Sequence, residues 1–249
     1  MTRSAEEKKR LLDFIFQAHG GLDLWRKVQS ITAKGQCGGI ALPFKGKPRA
    51  FKHYEIKIFP EQPYAVITPF PKPGFRGGFF RNKVWIENIR GETVGERANP
   101  RDFLSKFRRT LWWDDLDALY FGGYALWNYL TLPFFFSDTD LKIEELDRWK
   151  EGQEGWRRLQ VTFPGHFPTH CQKQVFYIDG KGMVRRHDYT AEVIGKWARA
   201  ARYLFDPKEF SGLTFPTKYR IWPRLKGRPF RGITLVSINF EDIEVIWKS

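Results

Sequence analysis

The chain has 249 residues, 42% hydrophobic and 17% aromatic, a composition that fits a globular, sheet-rich protein with a large aromatic interior. Its formal charge of +14 is spread along the chain rather than blocked, which favours a solvated basic surface over a dedicated site for an anionic partner. Two cysteines, Cys37 and Cys171, exclude a disulfide framework, and an N-terminus without the apolar core of a secretory signal points to free thiols in the cytoplasm.

Residues 4–19 read as a helix. Ser4 and Glu7 have the spacing of a capping box, Leu11, Leu12, Phe14, Ile15 and Ala18 share a face, and Gly20-Gly21 ends it. A short helix over 22–28 follows. After Gln29 the period changes to two: Ile31, Ala33 and Gly35 alternate with polar residues, as do Tyr54, Ile56 and Ile58 within 51–59. Residues 64–67 and 83–87 are further strands, kept short by Pro60, Pro63, Pro69, Pro71 and Pro73.

Asn99-Pro100 opens a helical insert over 99–137. Residues 101–110 form an amphipathic piece. Residues 114–130 form a second piece, apolar nearly all round, with Asp114 and Asp115 favourable at its N-terminus. Ten residues between 112 and 136 are aromatic: Trp112, Trp113, Tyr120, Phe121, Tyr124, Trp127, Tyr129, Phe134, Phe135 and Phe136. Residues 118–136 carry no charge, so they must be hidden from water. Gly122, Gly123, Asn128, Pro133 and acidic flanks argue against a membrane span. A buried helix, or one dipping into a membrane surface, remains.

From Leu141 strands resume as a meander: 141–146, 156–163, 171–178, 183–194, 199–205, 215–222 and 232–247, with Asp179-Gly180-Lys181-Gly182 as a hairpin turn. The expected fold is one α+β domain over 1–249: an N-terminal helical segment (1–28), a first strand set (29–98), the helical insert (99–137) and an antiparallel meander (138–249). A sheet of about nine or ten strands with one apolar face curls into an open or half barrel. The insert then plugs its apolar concave face.

The opening Ala18-His19-Gly20-Gly21, followed by Trp25, Val28, Ser30-Ile31 and Gly35, and the later run from Ile178 to Arg186 resemble the lipoprotein-carrier (LolA/LolB-like) superfamily. That resemblance implies a curved antiparallel sheet closed by helices around an apolar cavity for acyl chains. The export signal of the classical carriers is missing, so the resemblance carries over the cavity rather than the cargo.

Chemistry is best placed on the strand 183–194. Its alternation puts Met183, Arg185, His187, Tyr189, Ala191 and Val193 on the more apolar face, toward the cavity. His187 would be a general acid or base, Tyr189 a hydrogen-bond donor, with Asp188 or Glu192 in support. The competing reading has both as interior polar groups satisfied by neighbouring strands. The expected ligand-binding residues are Trp113, Tyr120, Tyr124 and Trp127 from the insert, Arg185 at the rim and Tyr219 from the strand 215–222. His166, His170 and Cys171 read as a loop rather than a zinc site, His53 as solvent-facing, and Lys218 as part of an exposed stripe.

No phosphate-cradling loop, nucleophile elbow or H-E-x-x-H motif is present, so no metal or cofactor is expected. The expected function is binding of a hydrophobic small molecule or lipid in an aromatic-lined cavity. The alternative is a cofactor-independent isomerase, lyase or hydrolase using His187 on a hydrophobic metabolite. The charge allows peripheral contact with an anionic membrane. Nucleic acid is argued against, because reader motifs are absent and the aromatics do not lie beside the arginine clusters.

Overall fold

The structure, a computed structural model, describes residues 2–104 and 112–248, with side chains from residue 6 onward. Among these residues 14 strands form the sheet. They are β1 (Val28–Gly38), β2 (Tyr54–Phe59), β3 (Tyr64–Thr68), β4 (Phe75–Phe80), β5 (Lys83–Asn88), β6 (Thr93–Ala98), β7 (Lys142–Glu151), β8 (Glu154–Thr162), β9 (Lys173–Ile178), β10 (Val184–Thr190), β11 (Arg199–Phe210), β12 (Leu213–Leu225), β13 (Arg228–Pro229) and β14 (Val236–Trp247). Every pairing is antiparallel. The spatial order is β6-β5-β4-β3-β2-β1-β14-β12-β11-β10-β9-β8-β7, with β13 paired to β12.

The first and last strands of the chain's sheet therefore meet in its middle, where β1 pairs with β14. The ends of the path, β6 and β7, do not pair, so the sheet is curved but open. Register shifts in β1, β10, β5 and β7 supply bulges, which bend strands locally.

Three strands escape the sequence reading: β4, β6 and the two-residue β13. β4 contains Gly77-Gly78, a breaker pattern, and β6 is an exposed polar edge. The glycines of β4 have a packing reason: a Cβ on Gly77 would lie 2.4 Å from Leu119 Cδ1, and one on Gly78 would lie 2.3 Å from the Trp85 indole. Neighbouring side chains occupy the space a side chain would need.

The helices are α1 (Thr2–Ala18), α2 (Leu22–Trp25), α3 (Ala41–Phe44), α4 (Pro100–Leu104) and α5 (Asp115–Thr131), followed by a 3-10 turn, Phe134–Ser137. α1 already contains Ser4, so the helix starts before the expected cap. It buries Leu11, Ile15 and Phe16 and ends at Gly20-Gly21 as anticipated. The amphipathic piece expected over 101–110 coincides with α4 as far as Leu104; its remainder lies outside the described residues.

α5 lies in the concave face, packed chiefly on β3, β4 and β5. Asp114 is its N-cap and forms a reciprocal capping box with Asp117. Nearly all of its side chains are buried, so its apolar circumference faces protein on every side. Gly122 and Gly123 allow that close seating, since added Cβ atoms would fall 2.3 Å from Phe51 Cζ and 2.6 Å from Phe79 Cβ. No helix among the described residues is long and apolar enough to cross a membrane.

Candidate functional site

α5 fills the hollow of the sheet almost completely. The enclosed void left beneath it measures about 30 Å³, bordered by Cys37, Phe51, Phe121, Tyr129, Tyr189 and Ile221 among others. The roomy cavity lies instead at the mouth of the half barrel, about 900 Å³ in volume. One wall is Tyr120, Trp127 and Thr131 of α5 with Phe134 and Phe135 of the 3-10 turn; Trp25 of α2 also lines it. The first half of the sheet contributes Pro60 and Pro63 at one turn, Arg81 and Asn82 at another, and Asn99 to Asp102. The loop Gly165 to Pro168 of the second half lies opposite.

The aromatic lining is held by packing. Trp25 stacks on Phe134 at 4.3 Å, and Trp127 meets Phe167 at 5.8 Å. The Trp127 indole donates to the Phe59 carbonyl at 3.1 Å, which ties α5 to β2. Arg101 donates to the carbonyls of Thr169 and His170 and pairs with Glu192, bracing the far wall.

Behind this cleft sits a buried polar cluster. Tyr124 is 3.0 Å from His170 Nδ1, and Tyr129 is 3.5 Å from His170 Nε2. The His170 ring stacks on Tyr189 at 4.0 Å, and His187 stacks on Phe176 at 4.2 Å. Gln174 donates to Thr169 and to the Cys171 carbonyl, so its own carbonyl faces His187 Nε2 at 2.5 Å. That arrangement makes His187 Nε2 the donor and leaves Nδ1 a bare acceptor with no partner. Burial, then the charge of Arg202, hold both histidines well below the usual imidazole range, so both are neutral near pH 7. Burial likewise raises the Tyr124, Tyr129 and Tyr189 phenols.

Arg202 joins this cluster although no motif marks it. It is 1% exposed, its guanidinium carbon lies 3.7 Å from the centre of the Tyr129 ring, and its Nε and Nη1 have no hydrogen-bond partner. The signal was available: Arg202 is in phase with buried Ala200 and Leu204, on a strand whose other face carries Ala201 and Tyr203.

The residues selected from sequence fall into three places. Tyr120 and Trp127 line the mouth cleft. Tyr124, His187, Tyr189 and Tyr219 lie in the interior cluster, where Tyr129 stacks on Tyr219 at 5.4 Å; Tyr189 borders the small void, and His187 lines neither that void nor the mouth cleft. Trp113 packs with Phe121 under the Lys45 ammonium, and Arg185 pairs with Asp179 at the β9–β10 hairpin. Asp188 cannot support His187. It points to the convex face, where Arg186 and Arg224 hold it, because successive strand residues face opposite ways. Glu192 is engaged by Arg101.

His53 and Lys218 are exposed, as expected, and Lys218 also pairs with Asp206. Residues 166–170 form a loop, and among the described residues no group of three or more His, Cys, Asp or Glu is placed to hold a metal.

The sequence matches no protein-family model and no curated protein. The fold is shared with solved structures. A LolA superfamily protein from Nitrosomonas europaea aligns over 94% of this chain and 93% of its own at TM-score 0.52 and 10% identity. A putative outer membrane lipoprotein-sorting protein domain from Vibrio parahaemolyticus aligns over 95% and 91% at 0.52 and 9%. A DUF1329 family protein from Desulfovibrio piger aligns over 95% and 92% at 0.51 and 12%. The LolA-like resemblance thus holds at the level of fold.

Proposed function

We propose that this protein binds a hydrophobic small molecule or lipid, and that the ligand lies in the cleft at the mouth of the half barrel rather than under α5. The observation that carries this reading is the cleft itself. Its volume of about 900 Å³ matches a lipid-sized guest, and Trp25, Tyr120, Trp127, Phe134, Phe135 and Phe167 line it. Aromatic side chains offer large apolar area at low entropic cost, while Arg81, Arg101 and Asn99 supply polar groups at the edge. The fold shared with a LolA superfamily protein and a lipoprotein-sorting domain supports the same class of ligand. Free Cys37 and Cys171 fit a reducing compartment, and the basic surface fits contact with an anionic membrane.

The test is a titration with a neutral fluorescent acyl-chain probe, on the wild type and on Trp127→Ala and Phe167→Ala. Saturable binding that weakens at least about 10-fold in either variant supports the cleft. Absence of saturable binding, or full affinity in both variants, refutes it.

A further inference from the structure

Resting on that reading, we propose that Arg202 is a headgroup receptor: it holds the carboxylate of an amphipathic ligand whose apolar chain lies in the cleft.

A guanidinium removed from water needs a partner, because desolvating a charge costs far more than desolvating a dipole. The chain itself shows how a structural buried arginine is satisfied. Arg186, also fully buried, makes two bonds to Asp188 at 2.7 and 2.9 Å and further bonds to Tyr203, Glu151 and the Gly227 carbonyl. Arg202 has no carboxylate partner among the described residues, and two of its nitrogens are bare. Its closest companion is Tyr129, whose ring face attracts a cation and whose neutral phenol meets the guanidinium without balancing its charge.

Two further orphans lie beside it. Tyr219, its ring 5.6 Å from the guanidinium, carries a buried hydroxyl with no partner. His187, directly across the strand pair from Arg202, carries the bare Nδ1. A phenol can donate to a carboxylate oxygen, and the neutral imidazole adds no charge. The pocket thus presents a single positive charge. A carboxylate balances it, whereas a phosphate monoester dianion leaves one negative charge buried.

The space under α5 is too small for an acyl chain. The void of about 30 Å³ touches Tyr129, Tyr189 and Ile221, the last being the cross-strand partner of Arg202 on β12. The chain must lie elsewhere, and the cleft is one layer away: Pro168 lines the cleft, while His170 packs on Tyr189 inside.

The experiment compares hexadecanoic acid with hexadecanol and hexadecyl phosphate, each below its aggregation threshold at mildly alkaline pH, by displacement of a neutral probe. The wild type is expected to bind the acid at least about 10-fold tighter than the alcohol and tighter than the phosphate. Arg202→Met is expected to bind acid and alcohol alike, and its unliganded form to melt about 2–4 °C higher, because an uncompensated buried charge has been removed. A structural arginine would instead lower the melting temperature on removal. Acid and alcohol binding equally to the wild type overturns the proposal and leaves the hydrophobic-ligand reading standing; neither binding overturns both. Tighter binding of the phosphate overturns the carboxylate assignment, and acetate competing as well as the acid overturns the amphipathic one. The wild-type comparison decides the matter even if Arg202→Met does not fold.

Discussion

Arg97 of β6 reaches Asp117 of α5 at 2.6 Å, joining the open edge of the sheet to the first turn of the helix that fills it. The Asp117 side chain is fully buried, and Arg97 also holds the N-cap Asp114 at 2.6 Å. Capping, dipole and ion pair converge at one helix end. Replacing Arg97 with Leu leaves a buried carboxylate without its arginine, and a loss of about 3–5 kcal/mol is expected in urea unfolding. A loss below about 1 kcal/mol would mean that the pair behaves as a surface salt bridge.

Stability falls as the medium is acidified below the ordinary histidine pKa. His19, His170 and His187 are buried, and desolvation lowers all three, His19 from 6.5 to about 4. The unfolded chain binds these protons first, so the neutral native forms are favoured above 6.5 and lose ground below it. Each histidine contributes up to about 1.4 kcal/mol per pH unit across its window, which for His19 closes near 4. Urea midpoints measured at successive pH values check this. A flat profile between about pH 7 and pH 5 would show that the rings charge freely.

Gly123→Ala tests the seating of α5. Helix propensity alone predicts a gain of about 1 kcal/mol. The new Cβ, however, would stand 2.6 Å from Phe79 Cβ, an atom fixed to the backbone of β4. A net loss of about 1–3 kcal/mol is therefore expected, read as a lower melting temperature. A rise would place the helix further from the sheet.

The thiols report the same contact. Burial pushes Cys37 to about 12, and its side chain borders the void under α5. Native Cys37, half-buried on β1, should be alkylated more slowly than a free thiol because its thiolate is disfavoured, and should approach the free rate in denaturant. Fast native alkylation would mean that α5 lifts readily.

What the sequence discloses follows from how local each cause is. The helix at 115–131 is legible because its uncharged aromatic run admits few environments, and the strand alternation puts His187 and Tyr189 on one face, where both are buried. β4 was hidden because Gly77-Gly78 reads as a breaker until Leu119 and Trp85 are seen filling the space. The cleft was only half visible. Tyr120 and Trp127 announced themselves, but Trp25, Phe134, Phe135 and Phe167 converge from separate segments through tertiary packing alone. Arg202 was overlooked because an arginine is presumed exposed, and only the in-phase Ala200 and Leu204 indicate otherwise.

Photolabelling with a neutral diazirine-bearing acyl chain, followed by peptide mapping, tests the location of the ligand most directly. Insertion confined to residues 120–135, 165–168 and the 60–63 turn is the result predicted for a ligand in the mouth cleft. Labels on the convex face around Trp149, Tyr203 and Trp222, or no saturable labelling, would contradict it.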